Sequence, residues 1–84
     1  MIKNIKGVVE EVSGTSCVIE MKGWGVEVVC GARLLAELVK KTGEEVRLWT
    51  WLRVYEEEIV LYGFSQKSEL ELFRRLITVS GVGP

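Results

Sequence analysis

The stretch VRLWTWLRVYEEEIVLYGF, residues 46–64, decides the fold of this chain. Apolar and other side chains alternate over 46–55, which is the period of a β-strand. Residues 59–64 repeat a composition rich in β-branched and aromatic residues, which favours a second strand. Between the two stand three consecutive glutamates, which have poor strand propensity and repel one another: Glu56, Glu57 and Glu58. The pattern therefore predicts a β-hairpin with the glutamates at its tip.

Three shorter strands are predicted before this hairpin, at 2–12, 16–21 and 26–30. Each is rich in β-branched residues, and turn signals (Ser-Gly-Thr, then the four residues 22–25) separate them. The three strands therefore form a meander. Gly7, inside the first of them, predicts a bend or a bulge.

A helix is predicted between the third and fourth strands. Residues 32–41, ARLLAELVKK, place three leucines on one helical face. Five short strands with a helix inserted between the third and fourth match the OB-fold, a small Greek-key barrel. The predicted fold class is thus mainly β, with a five-stranded OB-fold barrel and one inserted helix forming a first domain over residues 1–64.

A second unit is predicted over residues 65–84. Apolar side chains recur there at helical spacing, which predicts a helix over 65–79: Leu70, Phe73, Leu76 and Ile77. The helix leads into a glycine-rich end, Gly81, Val82, Gly83 and Pro84. A helix followed by such a turn begins a helix-hairpin-helix element, whose exposed backbone N–H groups can hold a DNA phosphate. An ordinary helix stop is the alternative, and the sequence predicts that the element is truncated at Pro84.

Composition limits the chemistry. The chain has 84 residues, 48% of them hydrophobic, and a net charge of −1, which argues against a free-standing, strongly basic nucleic-acid binder. It contains no histidine, so Ser–His and Cys–His nucleophiles are impossible, and no catalytic residue, cofactor or metal site is predicted. Cys17 and Cys30 predict buried thiols in a reducing cytoplasm, with a disulfide as the alternative. No apolar run approaches the roughly 18 residues of a membrane span.

One face of the fourth strand interleaves basic and aromatic residues: Arg47, Trp49, Trp51, Arg53 and Tyr55. OB-folds use such faces to stack single-stranded bases. However, two tryptophans are a large apolar area to leave exposed on a small domain, which favours a face covered by the terminal helix or by another subunit. A subunit-facing role and a DNA-facing role both stay open.

The glutamate tip also has two interpretations. Solvated charge at a turn improves solubility and prevents pairing between sheet edges. A functional role for this charge is favoured by the motifs that accompany it elsewhere in the chain.

These motifs extend over the whole chain, from Met1-Ile2 and Lys6-Gly7, through Gly23-x-Gly25-x-Glu27-Val28 and Leu61-Tyr62-Gly63-Phe64, to Glu71-Leu72-Phe73, Leu76-Ile77 and Gly81-Val82-Gly83-Pro84. In this order and spacing the chain resembles the N-terminal part of the RuvA family of Holliday-junction branch-migration proteins. The Leu-Tyr-Gly-Phe motif, the helix and the Gly-Val-Gly-Pro end at this distance are the most specific part of the resemblance.

The resemblance implies a non-catalytic subunit of DNA recombination and repair. Family members form homotetramers, or octamers on DNA, that clamp four-way junction DNA. They contact the ATP-hydrolysing motor RuvB through a C-terminal domain that is absent here. The resemblance also implies that Glu56, Glu57 and Glu58 form an acidic pin that separates strands, and that Gly81, Val82 and Gly83 contact the DNA backbone. This chain departs from the family pattern at Tyr55, where arginine is frequent, and at Glu58, where an uncharged residue is common.

Two alternatives come from other classes of function. In one, the OB-fold barrel serves only oligomerisation. In the other, the chain is a generic single-stranded DNA binder that uses the Trp49–Trp51 face.

Overall fold

The computed structural model describes residues 1–80, with side chains described as far as residue 77. The predicted backbone contacts of Gly81, Val82 and Gly83 lie outside the described residues. Seven elements follow one another along the chain: β1 (Asn4–Ser13), β2 (Ser16–Met21), β3 (Trp24–Cys30), α1 (Ala32–Val39), β4 (Glu45–Val54), β5 (Ile59–Phe64) and α2 (Lys67–Ser80). The predicted five strands and inserted helix are therefore confirmed.

The five strands close into a barrel in the order β1-β2-β3-β5-β4. Four of the neighbouring pairs are antiparallel. The barrel closes where β3 and β5 pair in parallel, with Val29 opposite Tyr62 and Cys30 opposite Gly63. A mainly β chain with this closed barrel is consistent with the predicted OB-fold.

The core lies inside the barrel and is apolar. Its largest fully buried side chains come from β1 to β4: Val9, Cys17, Ile19, Val28 and Leu48. The inserted helix α1 adds Leu35 and Leu38 to the same cluster. Burial of each such leucine contributes about 1.5–3 kcal/mol, so α1 is held by its apolar face.

Two local expectations were wrong. The bulge in β1 lies between Val9 and Glu11, where the register with β2 shifts, and not at Gly7. Gly7 is instead a point of close approach, because a Cβ there would lie 2.5 Å from the carbonyl oxygen of Glu20. The turn before β3 is also shorter than predicted, because Lys22 and Gly23 alone take positive φ angles and Trp24 already belongs to the strand.

Helix α2 packs across the outer face of β4 and β5 through one aromatic side chain. The ring of Phe73 lies 5.5 Å from that of Trp51, 6.0 Å from that of Tyr62 and 5.1 Å from that of Phe64. Leu70, one turn earlier, is 8% exposed. Leu76, which the apolar stripe included, is 60% exposed, so the contact with the barrel is narrower than the stripe.

Candidate nucleic-acid interface

The glutamates occupy the tip of the β4–β5 hairpin. The last strand pair is Val54 opposite Ile59, and beyond it the backbone N–H of Tyr55 donates a hydrogen bond to the carbonyl oxygen of Glu58 at 2.7 Å. This bond leaves only Glu56 and Glu57 at the apex. Two-residue connections are the commonest way to join antiparallel strands, so the chain reverses here in the smallest space available.

The three carboxylates are exposed, and nothing neutralises them within the described part of the chain. The side-chain carboxylates of Glu56, Glu57 and Glu58 make no hydrogen bond or ion pair among residues 1–77. The ion pair found in that range joins Lys6 to Glu45 at 3.8 Å, near the other end of β4. Since like charges repel, this end of the hairpin carries a concentrated and uncompensated negative charge.

The hairpin extends beyond the barrel. Along the inner face of β4, Leu48 is 2% exposed, whereas Val54 is 68% exposed, and its partner Ile59 on β5 is 67% exposed. Strand alternation puts Val54 on the same face as Leu48, but alternation in the sequence cannot show where the barrel ends. Two apolar side chains thus stand in solvent directly beneath the acidic tip, and the sequence reasoning missed them.

Aromatic and basic side chains stiffen the stalk of the hairpin. The hydroxyl groups of Tyr55 and Tyr62 lie 2.8 Å apart across the two strands and share a hydrogen bond. The Arg53 guanidinium stands 5.6 Å from the ring centroid of Trp51 and 5.5 Å from that of Tyr55, within the range of cation–π contacts. Burial, and then the hydrogen bond shared with Tyr55, raise the pKa of Tyr62 to about 12.

The predicted basic-aromatic face is divided between two environments. Trp51 and Arg53 contact each other in the stalk, and Trp51 is further enclosed by Tyr62 and Phe73. Arg47 lies apart from them, because its guanidinium donates a hydrogen bond to the side-chain oxygen of Asn4. Trp49 is half-buried between Asn4 and Phe64 in the strand register. Arg47 therefore lies apart from Arg53, whereas Trp49 and Trp51 line one groove beside α2.

Cys17 and Cys30 are free, buried thiols on the paired strands β2 and β3. A hydrogen bond between the two thiols, together with burial, raises the pKa of Cys30. Among the described residues, no group of three or more His, Cys, Asp or Glu side chains is placed to hold a metal ion. No helix in that part of the chain is long and apolar enough to cross a membrane.

The comparisons with known proteins agree on one family. A family model described as the RuvA N terminal domain matches residues 1–63. The whole chain is 38% identical to the Holliday junction branch migration complex subunit RuvA of Caldanaerobacter subterraneus subsp. tengcongensis, and it covers 44% of that protein. It is 43% identical to proteins of the same name from Chlamydia caviae and Streptomyces griseus, of which it covers 41% and 39%.

The chain thus spans less than half the length of these curated relatives. The matched region includes the projecting hairpin and the whole barrel except Phe64, the last residue of β5. The family model matches residues 1–63, and the relatives align along the full chain. The chain therefore belongs to the RuvA N-terminal domain family.

Proposed function

We propose that this chain is the N-terminal part of a subunit that binds four-way junction DNA, and that its acidic hairpin keeps strands apart at the crossover. The observation that carries the proposal is the apex of the β4–β5 hairpin, where Glu56 and Glu57 stand exposed and unpaired on a stalk that projects from the barrel. The relatives bear the name of a Holliday junction branch migration complex subunit, which supports the same role.

The tip acts by repulsion in this proposal. A carboxylate and a phosphate about 8 Å apart repel each other by about 2 kcal/mol at an effective dielectric constant of about 20. Several such pairs prevent continuous duplex from settling across the tip. DNA must then be held elsewhere, since a negatively charged hairpin contributes no attraction of its own.

The proposal includes an assembly. Four copies around a symmetry axis, or eight in two such layers on DNA, bring their hairpin tips together where the four DNA strands exchange. Repulsion from the tips then acts on every strand at that point. The barrel surface away from the tips supplies the contacts between subunits.

The remaining parts of the proposal concern residues near the end of the chain and other partners. The backbone of Gly81, Val82 and Gly83 holds a DNA phosphate as the start of a helix-hairpin-helix domain over 65–84, separate from the barrel domain over 1–64. A RuvB-type motor supplies ATP hydrolysis in the cytoplasm, so the chain itself is not catalytic.

The charge of the tip can be removed without changing its shape. In the full-length protein, Glu56→Gln with Glu57→Gln keeps size and hydrogen-bonding capacity. We expect the preference for junction over linear duplex to fall by about tenfold or more, since one lost pair of about 2 kcal/mol already exceeds a factor of ten. Overall DNA affinity holds or rises, most clearly at low salt, where screening is weakest. Replacing both glutamates with lysine goes further and slows branch migration.

The assay is a competition between labelled junction and linear duplex at two salt concentrations. Glu10→Gln with Glu11→Gln is the matched control, because this pair is also adjacent and exposed but lies on β1, away from the tip. Free energies of unfolding are expected to change by no more than about 0.5 kcal/mol in the tip variant, as is usual for surface sites. If the tip variant discriminates as well as the unsubstituted protein, the glutamates are only a solvated turn.

A further inference from the structure

A groove separates the N-terminal segment from helix α2. Its volume is about 390 Å³, within the range of about 300–1,000 Å³ typical of small-ligand pockets. Its lining comes from three places: the first residues of the chain, the middle of β4, and one side of α2. None of these residues belongs to the acidic tip.

Hydrogen bonds fix the N-terminal wall of the groove. The hydroxyl of Thr50, itself 3% exposed, donates to the carbonyl oxygen of Ile2 at 3.1 Å, and its backbone N–H donates to the carbonyl oxygen of Lys3 at 2.9 Å. The segment before β1 therefore lies along β4 in a defined place. As a result, the cationic side chain of Lys3 is held at the rim of the groove.

The groove is positively charged although the chain as a whole is not. Lys67, Glu71 and Arg74 line it from α2, where spacings of three and four residues put side chains on one helical face. With Lys3 this makes three cations against one carboxylate, a local charge of +2 on a chain whose net charge is −1. This local positive charge favours the binding of an anion.

One wall of the groove is a flat aromatic surface. Trp49 and Trp51 are both half-buried and both line the groove. Trp51 also packs against Tyr62 and Phe73, whereas Trp49 makes no ring contact with another aromatic residue in the described part of the chain. A flat, partly exposed indole beside cations matches the two parts of a nucleotide, because the base can stack and the phosphate can be neutralised. Bases inside a duplex offer no free face, so the fitting polymer is single-stranded.

We propose that this groove binds single-stranded DNA, with Trp49 as the stacking platform and Lys3, Lys67 and Arg74 as phosphate partners. This inference rests on the proposed function, because strand separation at the acidic tip is the source of the unpaired strand. Trp49 and Glu56 are seven positions apart, about 23 Å along an extended strand. A DNA strand that is separated at the tip then binds in the groove at the other end of the same hairpin.

The test follows Trp49 alone. A Trp24→Phe, Trp51→Phe chain retains Trp49 as its sole tryptophan, and oligothymidylate is titrated at low salt while emission is recorded. We expect quenching of Trp49, and no quenching by inorganic polyphosphate, which carries charge without bases. In the matched Trp49→Phe, Trp51→Phe chain, the remaining Trp24 is 75% exposed and lies outside the groove, so its emission is expected to show no change.

Affinity, measured by anisotropy of a labelled oligothymidylate, separates stacking from charge. Trp49→Ala is expected to weaken binding about fivefold or more, the effect of losing one stacked base. A plot of log affinity against log salt is expected to have a slope of about −2 for three phosphate contacts on a single strand. Lys67→Glu with Arg74→Glu abolishes most binding, Glu71→Gln strengthens it, and the exposed control pair Lys40→Glu with Lys41→Glu leaves it unchanged.

Three results overturn the proposal. Emission of Trp49 that does not respond to oligothymidylate removes the stacking platform. Equal binding of polyphosphate with no effect of Trp49→Ala reduces the groove to non-specific charge. Groove variants that change the oligomeric mass without changing oligonucleotide binding assign the groove to a second copy of the chain. Because the probe is single-stranded from the start, each of these results refutes the groove while junction preference is decided separately by the Glu56 and Glu57 variant.

Discussion

Replacing Gly63 with alanine is expected to strain the closure of the barrel. Gly63 stands on β5 between two neighbours, Cys30 on β3 and Thr50 on β4, at the point where the sheet closes. A Cβ at this position would lie 2.5 Å from Cγ1 of Val28 and 3.3 Å from the sulfur of Cys30. Val28 is 0% exposed, so its side chain has no space into which it can move.

The size of the effect follows from two opposing terms. Forcing a methyl group into a packed core costs about 1–3 kcal/mol. Exchanging glycine for alanine also lowers the conformational entropy of the unfolded chain, which stabilises the folded state by about 0.4–1 kcal/mol. The free energy of unfolding should therefore fall by about 1–2 kcal/mol. At about 4–8 °C per kcal/mol for a domain of this size, the melting temperature should fall by about 4–16 °C.

Thermal unfolding followed by far-ultraviolet circular dichroism measures this loss. Gly25→Ala is the matched control, because a Cβ there would lie 3.3 Å from Cγ1 of Val18, a half-buried side chain that can turn away. Its melting temperature should change less than that of the Gly63 variant. Two results would show that close packing at the β3–β5 seam does not limit closure. In one, the Gly63→Ala chain has the same melting temperature as the unsubstituted chain. In the other, the melting temperature of the Gly25→Ala chain falls by as much as that of the Gly63→Ala chain.

Two further predictions concern the stalk and helix α2. Tyr55→Phe should lower the pKa of Tyr62 from about 12 towards, but not to, its usual value of 10.0, because burial remains when the hydrogen bond is lost. Because the pKa of Tyr62 is raised in the folded state, its contribution to stability is complete below pH 10 and is lost as the pH rises towards 12. An ultraviolet titration of the Tyr55→Phe variant with an unchanged midpoint would contradict this account. Phe73→Ala should remove three ring contacts worth about 0.5–1.5 kcal/mol each and melt α2, whose 14 residues are marginal without packing. Helical circular dichroism should then fall while the barrel remains, and the 59% exposed Leu72→Ala control should keep its helix.

Much of the barrel could be predicted because its signals are local. Alternation along 46–55 and the helical period of 32–41 each act within a few residues, so the five strands and the inserted helix could be placed without tertiary information. The adjacency of Glu56 and Glu57 likewise put them at a turn. Their place at the apex, however, depends on the hydrogen bond from Tyr55 to Glu58, which the sequence pattern does not specify.

The parts that could not be predicted depend on distant residues meeting. Val54 continues the apolar face of β4, and only the length of the barrel decides that it is exposed. Lys3 and Lys67 are far apart in the sequence, and they share a groove because Thr50 fixes the N-terminal segment and Phe73 positions α2. Charge counted along the chain therefore missed a local excess that the fold creates.

The identity of residue 55, a tyrosine, has a physical consequence for the proposed pin. An arginine beside Glu56 would place a cation at the tip and offset part of its charge. Here the neighbouring cation, Arg53, is held against the rings of Trp51 and Tyr55 in the stalk and makes no ion pair with the glutamates among the described residues. The cation thus stiffens the hairpin without neutralising its end. Since Coulomb attraction falls with distance, a cation held in the stalk offsets less of the tip charge than a cation at the tip itself would, and the glutamates keep more of their repulsion towards a nearby phosphate.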